Sequence, residues 1–148
     1  MRKYVLILTL AVLAFSVFAI AGDHAYVGPN KCKMCHRVEY DSWAKTKHAT
    51  AWDALKPAEQ KDAKCNVCHS TDLPKLTGVS CEACHGAGGD YWKMSIMKDK
   101  AKAIANGLVM PTKEVCVRCH NSKSPTFKGF DFDKMKTKVH EFKNDPFK

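Results

Sequence analysis

No cysteine of this 148-residue chain stands outside a C-x-x-C-H motif. The eight form four copies: Cys32-Lys-Met-Cys35-His36, Cys65-Asn-Val-Cys68-His69, Cys81-Glu-Ala-Cys84-His85 and Cys116-Val-Arg-Cys119-His120. None is left over. A disulfide scaffold could consume the thiols, but it leaves the four following histidines unexplained. Structural zinc also uses C-x-x-C pairs, yet needs no His directly after each second Cys. The chain also lacks a strong strand signal and any repeat beyond these motifs, which argues against a β architecture or a solenoid. Histidine outside the motifs is scarce, with only His24, His48 and His140.

What is present reads as chemistry. C-x-x-C-H is the attachment site of a c-type haem. Two thiols add to the two vinyl groups of one porphyrin, and the next His ligates its iron from the proximal side. The sequence therefore predicts four c-type haems, with iron held by His36, His69, His85 and His120.

The N-terminus reads as an export signal. Arg2 and Lys3 precede an apolar run from Tyr4 to Ala21. Ala19-Ile20-Ala21 supplies small residues where a signal peptidase needs them. Residues 1–21 are read as a signal peptide and 22–148 as one tetrahaem domain. The same run is long enough to serve as an uncleaved anchor. No Cys lies near the cleavage site, which argues against a lipid anchor. Export fits covalent haem, which is attached outside the bacterial cytoplasm. The expected location is the periplasm or cell surface, with no membrane insertion after cleavage.

Charge needs care. The formal net charge is +9, and the signal carries two of those charges in Arg2 and Lys3. The eight propionates of four haems would take the remaining +7 to about −1, while each ferric porphyrin returns one positive charge. The basic balance thus gives no case for nucleic acid. Lysines can pair with propionates or face an acidic redox partner.

So few residues per haem cannot build a large apolar interior. The expected fold is mainly α, with the porphyrins as the core and little or no strand. A helix is expected over 37–55, with Trp43, His48, Ala51, Trp52 and Leu55 on one stripe. A short helix is expected over 58–64. Pro74 and Gly78 mark turns in a short connection, which would put the second and third haems close together. A helix over 94–106 should stop at Gly107. Asp131 or Asp133 should cap a last helix running to Phe142, with Phe132, Met135 and Val139 inward.

The second axial position decides whether a haem only carries electrons or also binds a small molecule. Three spare histidines cannot complete four sites. His48 lies on the expected stripe of its helix and His140 on the expected last helix, and both are candidate distal ligands. His24 sits in a short arm, free to remain solvated or to reach a haem of another subunit. Met94 and Met97 could supply a thioether, though a Met on an apolar face is more often core.

With these residues in view, the chain resembles the cytochrome c554 family of tetrahaem proteins. The stretch from Cys32 through Ser42-Trp43 and Thr46-Lys47-His48-Ala49 is similar to the family's first site. Leu76-Thr77-Gly78-Val79-Ser80 with Cys81 to Gly88 resembles its third. Phe132 to Glu141 resembles its C-terminal ligand segment. The resemblance implies closely stacked haems, three of them bis-His and the second, at His69, five-coordinate. It implies that His48 serves haem 4 and His140 haem 3. Relatives often carry a His shortly after the third-site Gly-x-Gly, as ligand to haem 1. Here that region reads Gly88-Gly89-Asp90-Tyr91-Trp92-Lys93-Met94, without one, so haem 1 is left with Met94, Met97, His24 or no ligand.

The expected function is electron transfer between redox protein partners, by a monomer or homo-oligomer, rather than catalysis. Two rivals stand beside it: reduction or oxidation of a small nitrogen species such as nitric oxide or hydroxylamine at an open haem, and a haem-wire oligomer. No acid–base constellation supports the enzyme.

Overall fold

The computed structural model describes residues 24–142. The expected signal segment lies outside them, so its cleavage or anchoring is not addressed by the fold.

Short helices and long connections make up most of the chain. They are α1 (Pro29–Lys33), α2 (Arg37–Trp43), α3 (Ala63–His69), α4 (Cys81–His85), α5 (Met94–Met97), α6 (Lys100–Ala105), α7 (Lys113–Val117) and α8 (Phe132–Met135). Single 3-10 turns cover Trp52–Ala54, Glu59–Lys61 and Lys136–Lys138. The only sheet among the described residues is a hairpin, β1 (Ser70–Asp72) against β2 (Leu76–Thr77), antiparallel. Little strand was expected, and the connection between the second and third motifs turns out to hold this small ladder. Thr71 helps close it, its hydroxyl donating to Gly78 O at 2.8 Å.

Local side-chain chemistry sets where the helices start. Asp62, Asp99 and Asp131 each stand at an N-cap and accept from the backbone N–H of Lys64, Lys102 and Lys134. Such a cap satisfies one of the helix's orphan donors and is worth about 1 kcal/mol. Gly107 ends α6 with φ 97°. Its N–H donates to Ile104 O, and Leu108 N–H donates back to Ala103 O at 2.9 Å. That is the Schellman closure, and Leu108 and Ala103 bury against each other beneath it.

Three expected helices are interrupted. The one over 37–55 stops at Trp43, because polar side chains take up its carbonyls. Ser42 Oγ donates to Val38 O and Glu39 O, and Thr46 Oγ1 donates to Trp43 O. This competition is why Ser and Thr weaken helix interiors. His48 O then accepts from Val79 N–H at 2.9 Å, and Trp43 Nε1 donates to Val79 O at 2.9 Å. Those two bonds dock the turn against the segment before α4. Gly78 permits the approach: a Cβ there would stand 2.6 Å from Ala49 O. The helix over 94–106 breaks at Asp99, which caps α6 instead of continuing α5. The last helix is capped by Asp131 but gives way to a 3-10 turn after Met135, so His140 is not helical. Met135 is 42% exposed rather than inward.

The apolar core of the polypeptide is very small. Among the described residues Tyr91, Ala103 and Leu108 are its buried members, with Ile96 and Met97 packed on them. No large side chain is fully buried, while Met34, Val67, Val109, Phe127, Met135 and Phe142 are exposed. Protein packing alone does not account for a chain of this length adopting one shape.

Candidate haem sites

Each C-x-x-C-H motif winds into a helical turn. In α3 and α4 all five residues are helical. In the other two the turn closes through His36 N–H to Cys32 O at 2.8 Å and His120 N–H to Cys116 O at 3.0 Å. Residues at i, i+3 and i+4 share one helix face. Both thiols and the imidazole of each motif are thereby turned to the same side. The winding supplies the geometric reason for the spacing.

No two cysteines are joined as a disulfide. Among the described residues, no group of three or more His, Cys, Asp and Glu converges in the way a bare metal ion requires. The thiols meet instead between motifs. Cys32 lies beside Cys81, so the first motif neighbours the third. Cys68 lies beside Cys119, so the second neighbours the fourth. Burial, aided by Cys68, pushes the Cys119 thiol up to about 12. Burial also raises Cys84, and Cys116 is near enough to add to it. Thiol neighbours thus run from motif 1 to 3, 3 to 4 and 4 to 2. Sequence proximity pointed to sites 2 and 3 as the close pair. Thiol contact joins each of them to a different partner.

The histidines divide into two classes. His48 faces His120, ring centroids 5.9 Å apart and edge to face. His140 faces His85 at 6.4 Å. Two imidazoles bound to one metal from opposite sides, each with a bond of about 2.0–2.1 Å, hold their ring centres roughly 6 Å apart. Both separations therefore leave room for one iron. Burial lowers the pKa of His48 and His85, and their neighbours His120 and His140 add to the effect. Neutral rings are the form that ligates. His36 and His69 belong to the other class, with no facing His ring among the described residues.

Ring orientation is fixed by backbone carbonyls. His69 Nδ1 donates to Ala51 O at 2.7 Å, His85 Nδ1 to Val109 O at 3.1 Å, and His140 Nδ1 to Glu141 O at 2.9 Å. Each bond commits the Nδ1 proton and leaves Nε2 as the free lone pair for a metal. Phe130 stacks on His120 at 4.8 Å and 14°. Sequence reasoning missed these supports. The carbonyls carry no residue-type signal, and Phe130 looks like any loop aromatic.

Beside His120 opens a cavity of about 590 Å³, lined by Lys47, Cys119, Phe127, Lys128 and Met135 among others. That is the size of a cofactor pocket. It joins a thiol, a histidine, apolar side chains and two lysines, a lining suited to a porphyrin with propionates. On these grounds the residues fit c-type haem.

The remaining candidates lie elsewhere. His24 is docked: its Nδ1 pairs with Asp90 Oδ2 at 2.5 Å, and Gly89 N–H donates to Ala25 O. It borders a cavity of about 280 Å³ with Tyr26, Asp72 and Lys75. Met97 packs on the Tyr91 cluster, and Met94 is 58% exposed. One buried group has no counterpart in the sequence reading. Glu82, 2% exposed, accepts from Val27, Gly28 and Gly88 N–H at 2.7–2.9 Å.

Comparison with known proteins adds an independent line. Residues 31–86 match the family described as cytochrome c554 and c-prime. Cytochrome c-554 of Nitrosomonas europaea is 30% identical over 151 aligned positions, which take in 75% of this chain. The chain spans 64% of that relative's length. The solved structure of reduced cytochrome c554 from Nitrosomonas europaea superposes with a TM-score of 0.62. That match has 25% identity and covers 80% of this chain and 85% of that one.

Proposed function

We propose that this chain, a relative of the cytochrome c554 family, is an exported tetrahaem c-type cytochrome that carries electrons between redox proteins. The observation that supports it best is the pairing of histidines: two proximal rings, His85 and His120, each meet a second ring at single-metal spacing. A bound haem supplies a one-electron iron couple whose potential the axial ligands and surroundings set. The polypeptide holds that couple in place. Cys32 and Cys35, Cys65 and Cys68, Cys81 and Cys84, and Cys116 and Cys119 anchor the four porphyrins. His36, His69, His85 and His120 hold the irons from one side. His140 completes the third site and His48 the fourth.

Neighbouring thiols in the order 1, 3, 4, 2 favour a continuous row of haems, through which electrons hop without proton movement. Sites 1 and 2 are left without a second imidazole. Site 2 is proposed as open to a small diatomic ligand. Met94, Met97 and His24 remain the candidates at site 1, with Met97's place in the apolar cluster and His24's bond to Asp90 weighing against both. An open position alone does not make an enzyme, because catalysis also needs a placed proton donor. Among the described residues no helix is long and apolar enough to cross a membrane. Periplasmic location after removal of 1–21 completes the proposal.

The deciding experiment is kinetic. The oxidised holoprotein should accept electrons one at a time from a reduced donor and return them to an oxidised acceptor. It should not turn over nitric oxide or hydroxylamine. Rapid multi-turnover reduction of either molecule with a simple donor would overturn the carrier assignment.

A further inference from the structure

Sites 3 and 4 carry the same proposed ligation, two histidines each, yet the polypeptide around them differs in charge. In the third motif the residue after the first Cys is Glu82; in the fourth it is Val117. Glu82 is almost wholly buried and receives three backbone N–H donors. Three N–H donors converging on its two oxygens favour negative charge there. Removing the charge from water strengthens its field on whatever lies nearby. Glu82 itself lies in α4 of the third motif, and its carboxylate bonds Val27 and Gly28, which lead into the first. The fourth motif carries a cation instead. Arg118 donates from Nη2 to Ala83 O at 2.7 Å, so it stands at the border of sites 3 and 4. Arg118 is exposed, and salt screens it more than Glu82.

We propose that Glu82 is a potential-setting residue: its buried carboxylate holds the haem of site 3 at a lower reduction potential than the haem of site 4. The physical reason is direct. Reduction of ferric haem adds one electron, and a fixed negative charge in a low-dielectric setting disfavours that added charge. Ligand identity cannot produce the difference, since it is shared. An electron able to reach both sites then resides on site 4 at equilibrium, which gives the middle of the row a direction from site 3 toward site 4. The same carboxylate also ties Val27 and Gly28 to Gly88, so its structural role must be separated from its electrical one.

The proposal rests on haems being bound at sites 3 and 4, and intact mass of the holoprotein checks that separately. If haem is missing there, the functional reading fails and this inference with it. With haem present, a stepwise potentiometric titration followed by NMR, with haem signals assigned to sites, tests the inference alone. In the unmodified protein site 3 should be reduced after site 4; the reverse order overturns the proposal. Glu82→Gln removes the charge and should move the site 3 potential upward by more than the site 4 potential. Glu82→Asp keeps the charge while loosening the arm, and should leave the order of reduction intact. Equal shifts in the two variants would mean that packing, not charge, sets the potential. If Glu82→Gln fails to load haem, the order in the unmodified protein and the Glu82→Asp result still decide the matter.

Discussion

The two halves of the haem-binding surface are built differently. Around site 3 the polypeptide packs as an ordinary protein does. Every buried side chain among the described residues lies between Ser80 and Leu108. There Glu82 satisfies three N–H groups, and Tyr91 OH donates to His85 O and Gly86 O. The Schellman turn at Gly107 brings Val109 to its double bond with site 3, N–H to His85 O and O from His85 Nδ1. The segment 121–142, which passes site 4 and ends with His140 beside site 3, has no buried side chain. Phe127 and Met135 are 39% and 42% exposed, and they border the cavity of about 590 Å³ beside His120. Its ion pairs, such as Lys136 with Asp133, are local and on the surface, where each is worth about 0–1 kcal/mol. One region can hold its shape through its own contacts; the other is organised around something it must bind. Covalent haem would account both for how a chain with so little core folds and for why Phe127 and Met135 stand open beside His120.

The largest expected effect breaks the comparison by removing haem. Chain produced without haem attachment should lose protection throughout 121–142, while amides between 80 and 109 stay the slowest to exchange. Hydrogen exchange with mass spectrometry reads this directly. Uniform exchange along the chain would mean that the site 3 region is no more self-sufficient than the rest.

A second test acts at the iron. His48→Ala and His140→Ala should each convert one low-spin haem to high-spin, without loss of covalent haem. Electron paramagnetic resonance of the oxidised protein distinguishes the two states. An unchanged spectrum in either variant would remove that histidine from the ligand set.

Smaller effects sharpen the contrast through stability. Tyr91→Phe deletes a hydroxyl that serves two carbonyls of site 3, and should cost about 1–3 kcal/mol in denaturant unfolding. Asp131→Ala removes only the cap of α8, worth about 0.5–2 kcal/mol in an isolated helix. In the haem-organised segment its cost should fall at the low end of that range. A larger loss at Asp131 than at Tyr91 would invert the picture of which half depends on protein packing.

Legibility followed the same division. The motif spacing was readable because one helical turn places i, i+3 and i+4 on one face, which needs no tertiary information. The caps at Asp131 and Gly107 were readable for the same reason. The long helix over 37–55 was not, because its end is set by Ser42 and Thr46 bonding backward and by Val79 claiming His48 O. Gly78 marks that contact only once its partner is known. The thiol neighbours, motif 1 with 3 and 2 with 4, are also tertiary, and spacing along the chain carries no sign of them. Glu82 was invisible for a further reason: a Glu between two cysteines reads as solvated until the arm at Val27 and Gly28 is seen folding over it. His24 in turn looked free until Asp90 was placed beside it.

The central claim is that the four motifs each carry a covalent haem, and that the haems complete the core the polypeptide lacks. Intact mass of the protein purified from a host competent for c-type maturation measures this in one step. The expected mass is that of residues 22–148 plus four haems, retained after denaturation. A chain of bare mass, or one carrying zinc or four disulfides in place of haem, would contradict it.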